Sequence, residues 1–455
     1  MKRAAILALL VALASGGVLV SGAAPDKMIG VNVVLNTDIT NDILKEIGRF
    51  GKVRDQIPAI DALTMQARES ELAAIQALPF VASAGPDAER EGAPIDTVEA
   101  DSFGDGLSTW NLDAINVTDF GFEDRQVEQD DAGVYVAVLD SGLVDSWRQY
   151  FPQERIATQY AISFGGGGGL QGEVSTQPNK WEHDQNSHGT HVTSTILGFS
   201  LNGTPVNGVA PMATVIPVKV LNQNGSGWSS VIARGIIYVA ELKEGPLADH
   251  PVVINMSLGG SVLDAVEKAA IDYAISRGVI IVASAGNRGE AGMGYPGAYA
   301  PVISAAASGW IGEWYPGYTS TWWCALNVAE SATPGFYITD FSSRAKTGQD
   351  LDVAAPGTWV VGPYQTNSGQ TSYYFLGGTS MASPHVAGIV ALMAQKKPAL
   401  TAGEAEGILE ESAIYLAPGT RNVYQSNGTM VPYTWGADAT GAGLVNAAGA
   451  LNKIP

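Results

Sequence analysis

Cysteine is nearly missing from this chain: Cys324 is the only one in 455 residues, so no intrachain disulfide can form. Stability then has to come from packing, with bound ions as a second source. A cysteine nucleophile is disfavoured too, because the sequence around Cys324 supplies no histidine partner. Basic charge is scarce: 25 Lys plus Arg stand against 45 Asp plus Glu, a net charge of −20. That balance disfavours nucleic acid and anionic membranes as partners and favours solubility. The first 100 residues hold only 9 of the basic and 13 of the acidic residues, so the acidity belongs to the remainder of the chain. Surface solvation accounts for it most simply; a salty habitat and calcium binding are the alternatives. After the first 25 residues no apolar run is long enough to cross a bilayer, and no internal repeat is evident.

What is there begins with Met1-Lys2-Arg3, an apolar stretch from Ala4 to Val20, and the small residues Ser21-Gly22-Ala23. Charge, length and small-residue chemistry predict a signal peptide over 1–23, hence a secreted protein with no stable membrane insertion after signal removal. A retained anchor is the alternative, with an apolar run near the lower limit for a spanning helix. From 27 to 85 the patterning predicts strands at MIGVNVVL, KVRDQI, ALTMQA and PFVAS, and helices opening at Asn41 and across ESELAAIQAL. This β-α-β-β-α-β order is that of a small ferredoxin-like α+β domain. The Asp-, Glu-, Gly- and Pro-rich stretch from Gly85 to Gly106 reads as a linker. The predicted division is therefore 1–23, 24–100 and 101–455. In the last part the apolar strands YVAVL, TVIPVKV, PVVINM and VIIVAS alternate with helical stretches such as Ser229 to Leu242 and Val262 to Arg277. Such alternation predicts an α/β fold, a parallel sheet covered by helices on both faces.

Three segments carry acyl-transfer chemistry: VAVLDSGL around Asp140, NSHGTHVTS around His188 and GGTSMASPHVAG around Ser380. A serine hydroxyl needs a base to take its proton and a third group to orient that base, and Ser380, His188 and Asp140 can fill these roles. Gly377-Gly378-Thr379 and the apolar run from Met381 predict that Ser380 opens a helix whose N–H groups face the reacting carbonyl. His188 is likewise predicted near the start of a buried helix. Asp140 ends a buried central strand, at the carboxyl edge where open α/β sheets gather their ligands.

By these motifs the chain from about Trp110 onward resembles the subtilases, the serine endopeptidases of the subtilisin family. The resemblance implies that Asn287, at the end of VIIVASAGN, joins the Ser380 backbone N–H in an oxyanion hole. It implies that Ser257, Leu258 and Gly259 in INMSLGG and Gly225, Ser226 and Gly227 in NGSGW pair with a protein or peptide substrate on either side. Recognition of this kind reads main chain and predicts broad specificity. Gly294 is implied as the floor of the primary pocket, with room for a large apolar or aromatic side chain and no acid placed to demand a basic one. The small N-terminal domain resembles the inhibitory propeptide of the family, which makes the chain its own intramolecular inhibitor until cleavage in the linker. No cofactor is required for the chemistry. Calcium as a structural ion is an expectation from the family, with Asn202 in LNGTPVNGV offering an oxygen, although VDSWRQYFP after Asp140 lacks the family's usual HPD-like ligand segment.

Three other readings compete. His183, Asp184, His188 and His191 can be read as a metal cluster, but no carboxylate follows with zincin spacing. The Trp-rich stretch Gly309 to Thr339, an insertion relative to simpler subtilases, either extends the cleft or packs on its own aromatics. A catalytically silent binding or scaffold protein is the alternative function; it is disfavoured because no triad member is missing.

Overall fold

Successive residues of the strand Tyr135–Asp140 go to opposite sides: Val136 and Val138 into one buried cluster, Ala137 and Leu139 into another. The strands Val252–Met256 and Val279–Ser284 divide in the same way, Val253, Ile280 and Val282 to one side, Ile254, Ile281 and Ala283 to the other. A strand apolar at every position has to be covered on both faces, and here it is. The first cluster is completed by the helices His188–Leu197 and Thr379–Lys396, the second by Ser229–Glu244 and Ala265–Ser276.

This computed structural model describes residues 26–99, 108–118, 125–168, 173–317, 322–324, 328 and 335–455; the stretch 1–23 lies outside them. Across the main sheet the strands run Phe336–Ile338, Ile303–Trp310, Val279–Ser284, Val252–Met256, Tyr135–Asp140, Thr214–Lys219, Ile162–Gly165 and Ser175–Thr176. Val353–Pro356 also pairs with Ile303–Trp310. The inner pairings are parallel, and only Phe336–Ile338 and Ser175–Thr176 join antiparallel. The α/β expectation holds.

Residues 28–86 form a four-stranded antiparallel sheet in the order Gly51–Ile57, Ala62–Arg68, Met28–Leu35, Val81–Pro86, with the helices Asn41–Ile47 and Leu72–Gln76 in the predicted places. Val31, Val33, Leu63, Met65, Ile47 and Ile75 fill its own core. The opposite face carries Asn32 and Thr64, directly paired and nearly fully buried. That face lies over the large domain: Asn32 Nδ2 donates to Asp87 Oδ1 and Asp264 Oδ2, both at 3.0 Å. Asp264 in turn accepts the N–H groups of Val266 and Glu267 and so starts the helix Ala265–Ser276.

The Trp-rich stretch does not pack only on itself. Trp314 makes edge contacts with Trp322, Trp359 and Phe375 at 5.0–5.4 Å between ring centroids, Trp322 stacks on Phe375, and Trp323 is buried. Its aromatics extend the main core, which is why sequence alone, reading a loop, understates them. Tyr318 lies outside the described residues.

Candidate active site

Asp140 is the last residue of its strand, His188 the first of the helix His188–Leu197, and Ser380 the second of Thr379–Lys396. All three are buried. The turn before His188 is tight: Ser187 has a left-handed φ of 65°, and a Cβ on Gly189 would lie 2.4 Å from the Gly142 carbonyl oxygen. Only glycine lets the start of this helix approach the end of the Asp140 strand so closely.

The imidazole of His188 meets the carboxylate through Nδ1, 2.9 Å from Asp140 Oδ1 and 3.0 Å from Oδ2. Nε2, on the other side of the ring, is buried and has no hydrogen-bond partner among the described residues. Ser380 Oγ donates to the Ser257 carbonyl oxygen at 3.3 Å. The Asp140–His188 contact of the expected relay is therefore formed, while the Ser380 hydroxyl rests on a neighbouring carbonyl. Catalytic hydrogen bonds commonly tighten only when substrate is bound.

Behind Asp140 lies a second polar layer. Ser141 N–H donates to Asp140 Oδ1 at 2.6 Å; Ser141 Oγ accepts the Gly189 N–H at 2.9 Å and donates to Asp184 Oδ2 at 2.7 Å. Burial pushes the Asp184 carboxyl up to about 6 even though Lys219, whose Nζ donates to the Ser141 carbonyl, partly offsets it. In the sequence Asp184 stands out only as a metal ligand. The three imidazoles of that metal reading in fact go to separate partners: His183 to Asp145, His188 to Asp140, His191 to the Val360 carbonyl. Burial holds His191 down at about 3 and His385 at about 4, so both are neutral structural groups.

Asn287 lies where the strand Val279–Ser284 has ended. Its Oδ1 accepts the Thr379 N–H at 2.9 Å and the Thr379 hydroxyl at 2.8 Å. This leaves Nδ2 as the free arm, close to Gly378 and beside the cavity that Asn287 shares with Ser380, Gly259, Gly260, Ser284 and Gly294. That cavity encloses about 230 Å³. Gly294 sits opposite Gly260, and the Arg288 guanidinium, which donates to the Met293 carbonyl, also lines the space, as does Glu91.

Between the two edges expected to pair with a substrate lies an extended segment of the chain itself. Glu89–Glu91 runs antiparallel to Ser226–Trp228, in the register Glu91 to Ser226 and Arg90 to Gly227. On its other side Glu91 exchanges both backbone hydrogen bonds with Gly259, at 3.0 and 2.9 Å. Gly92 N–H donates to the Gly225 carbonyl at 2.8 Å, and Ala93, Pro94 and Ile95 continue along the cavity beside Ser380. Ser257 and Leu258 are buried beneath this edge, with Ser257 Oγ donating to the Ser380 carbonyl oxygen. Sequence reading misses Asp87, which receives Ser230 N–H at 3.0 Å and Ser229 Oγ at 2.9 Å and fixes this segment to the helix Ser229–Glu244. An acid in a linker carries no local signal of such a role.

Asn202 lies in the tight turn between the strands Gly198–Leu201 and Thr204–Asn207, and its N–H donates to Tyr373 Oη at 3.2 Å. Among the described residues the carboxylates close enough to share a cation are Asp350, Asp352 and Glu406, which do not include Asn202. Asp352 is fully buried, Ser304 donates to its Oδ2 through both N–H and Oγ, and burial raises it to about 7.

Residues 131–449 match the profile of the subtilase family. A thermostable alkaline protease of Halalkalibacterium halodurans is 33% identical over 284 residues, 62% of this chain and 63% of that protein, so the match spans just under two thirds of the relative's length. Subtilisin DY of Bacillus licheniformis is 34% identical over 289 residues, 63% of this chain and 85% of that protein. In three dimensions the chain is similar to fervidolysin of Fervidobacterium pennivorans, described as a keratinolytic enzyme related to subtilisin; the TM-score is 0.66 at 24% identity, over 94% of this chain and 62% of that one.

Proposed function

Because the chain belongs to the subtilase family of peptidases, we propose that it is a secreted serine endopeptidase, made as a precursor that processes itself. The observation that carries this reading is the Asp140–His188 pair next to Gly92, with Ser380 and Asn287 around the cavity lined by the following residue, Ala93, in a cleft whose two edges already hold an extended backbone as an added strand.

In this reading Ser380 Oγ leaves the Ser257 carbonyl and attacks the carbonyl carbon of a peptide bond, while the unpartnered His188 Nε2 takes its proton. Asp140 holds Nδ1 and stabilises the imidazolium. The oxygen that becomes negative is received by Asn287 Nδ2 and the Ser380 N–H at the helix start. His188 then returns the proton to the leaving amine, and water cleaves the acyl-enzyme by the same steps reversed. The sheet over 28–86 with the segment 87–99 acts as the intramolecular inhibitor, since the segment occupies the place of a substrate. Protein and peptide substrates follow from the same main-chain pairing. A structural cation has candidate ligands in Asp350, Asp352 and Glu406, whose carboxylate oxygens converge, as well as in the Asn202 oxygen expected from the sequence.

The test is Ser380→Ala in the full chain. Wild type is expected to react with a fluorophosphonate, hydrolyse casein and shorten its own precursor, and the variant to do none of these. Casein hydrolysis retained by the variant sinks the reading; so does an unreactive wild type, which leaves a silent scaffold.

A further inference from the structure

Arg90 is fully buried, yet it belongs to a strand that lies in the cleft as a substrate would. Its place in the register can be counted. A Cβ on Gly92 would lie 3.5 Å from His188 Cε1, and Ala93 lines the cavity with Ser380 and Asn287. Ala93 is then the residue presented to the nucleophile, and Arg90 is the fourth residue counted back from the bond under attack. Its side chain passes Gly260, where a Cβ would come within 2.7 Å of Arg90 Nη1, so this glycine keeps the entrance open.

At the bottom stands Glu267, also fully buried, in the first turn of the helix Ala265–Ser276. Arg90 Nε lies 3.1 and 3.2 Å from its two carboxylate oxygens, and Nη2 donates both to Glu267 Oε2 and, at 3.1 Å, to the Val262 carbonyl. Nη1 returns to the Glu89 carbonyl at 3.0 Å. Asp87 and Asp264 add to the negative potential around the guanidinium. This is a planar fork matched by a carboxylate, a geometry that lysine meets only as a point charge and a neutral side chain not at all.

We propose that Glu267 makes this subsite selective for arginine, so that the protease prefers substrates with Arg four residues before the scissile bond. The inference rests on the endopeptidase reading and sharpens it. The backbone pairing remains indifferent to sequence, and one side chain is read. Arg90 shows the site occupied by the chain's own segment, and a cleaved substrate has to replace it there. A neutral residue in its place buries Glu267 without a partner, and truncating one member of a buried, hydrogen-bonded charge pair is costly enough to expect about a 10²-fold preference in kcat/KM.

The experiment uses enzyme matured from the full chain, its active sites counted by fluorophosphonate, and the capped peptides Arg-Glu-Gly-Ala, Lys-Glu-Gly-Ala and norleucine-Glu-Gly-Ala as 4-nitroanilides. Arg is expected to exceed norleucine about 10²-fold in kcat/KM, with Lys between them. Glu267→Gln is expected to cut that ratio below about 5-fold. Since this substitution leaves Arg90 unpaired in the precursor and puts its folding at risk, the double variant Arg90→Met/Glu267→Leu, which fills the same space with apolar groups, supplies the second arm and is expected to favour norleucine. Equal rates for Arg and norleucine with a full fluorophosphonate count overturn the subsite alone. Absence of both labelling and hydrolysis overturns the endopeptidase reading with it.

Discussion

Ser141 Oγ is 2.7 Å from Asp184 Oδ2 while it accepts the N–H of Gly189, so one hydroxyl ties the strand end at Asp140 to the helix start at His188. Ser141→Ala leaves that N–H and that carboxylate oxygen buried without partners. The expected cost is about 1–3 kcal/mol of stability. Turnover is expected to fall about 10- to 100-fold with KM little changed, because the side chain touches no substrate but the reacting groups drift. Steady-state kinetics with thermal unfolding checks this; a variant that loses stability but keeps kcat refutes the positioning role.

Asn287→Ala removes the amide that Thr379 aims at the cavity. A kcat loss of about 10²- to 10³-fold is expected, the range seen when a subtilisin loses its corresponding donor. Fluorophosphonate labelling should slow as well, while binding of a product peptide stays close to wild type. An unchanged kcat would take Asn287 out of the mechanism.

Glu313 is fully buried, its Oε2 accepting from Tyr337 Oη at 2.8 Å and its Oε1 from Thr358; burial pushes its carboxyl up to about 8. The folded state therefore keeps a proton that the unfolded chain releases near its ordinary value of 4.5. The stability contribution is full below that value and is lost as pH rises to about 8, with a slope of up to about 1.4 kcal/mol per pH unit. Glu313→Gln, which cannot ionise, should gain in Tm over its parent as pH rises from 5 to 8.5, both measured in a Ser380→Ala background to prevent self-digestion. A constant difference across that range refutes the assignment.

Burial keeps His385 neutral; its Nδ1 is 2.7 Å from the Met381 carbonyl and its Nε2 2.7 Å from Asn111 Nδ2. With His385 lowered to about 4 and His191 to about 3, the unfolded chain takes up protons near 6.5 that the folded one refuses. Both residues therefore favour folding above that pH, and this contribution is lost as pH falls from 6.5 toward 4. Denaturant midpoints in the same Ser380→Ala background should drop over this interval, and His385→Gln should make the drop shallower. An equal slope in the two proteins counts against a neutral His385 in the folded state.

Much of the fold and the site is legible in the sequence because it is local. VYVAVLD announces a buried strand and the place of its acid, and GGTS opening an apolar run announces a helix with serine at its mouth. The strands and helices of 28–86 follow from periodicity alone. What escapes is non-local. Arg90 and Glu267 are 177 positions apart, and each looks like an ordinary surface charge in its own window. The cavity at Gly294 is lined by Glu91 of the chain's own segment, and a second acid, Glu267, stands at the bottom of the neighbouring subsite, which no local window suggests. The Trp-rich stretch reads as a loop because aromatic spacing there follows no period, and its partners Trp359 and Phe375 come later in the chain. Ser380 resting on Ser257 reflects a hydroxyl rotor, which no sequence pattern encodes.

The helix Ser229–Glu244 has no side-chain acceptor of its own at its first turn and borrows Asp87, 143 residues upstream. Asp87 follows directly on the last strand of the small sheet, so the helix start is completed from that sheet's side of the interface. A polypeptide begun downstream of that sheet would start this helix with bare amides, a handicap of about 1 kcal/mol imposed at nucleation, the step a helix can least bear. The beginning of this helix is thus borrowed from a neighbour far upstream in the chain.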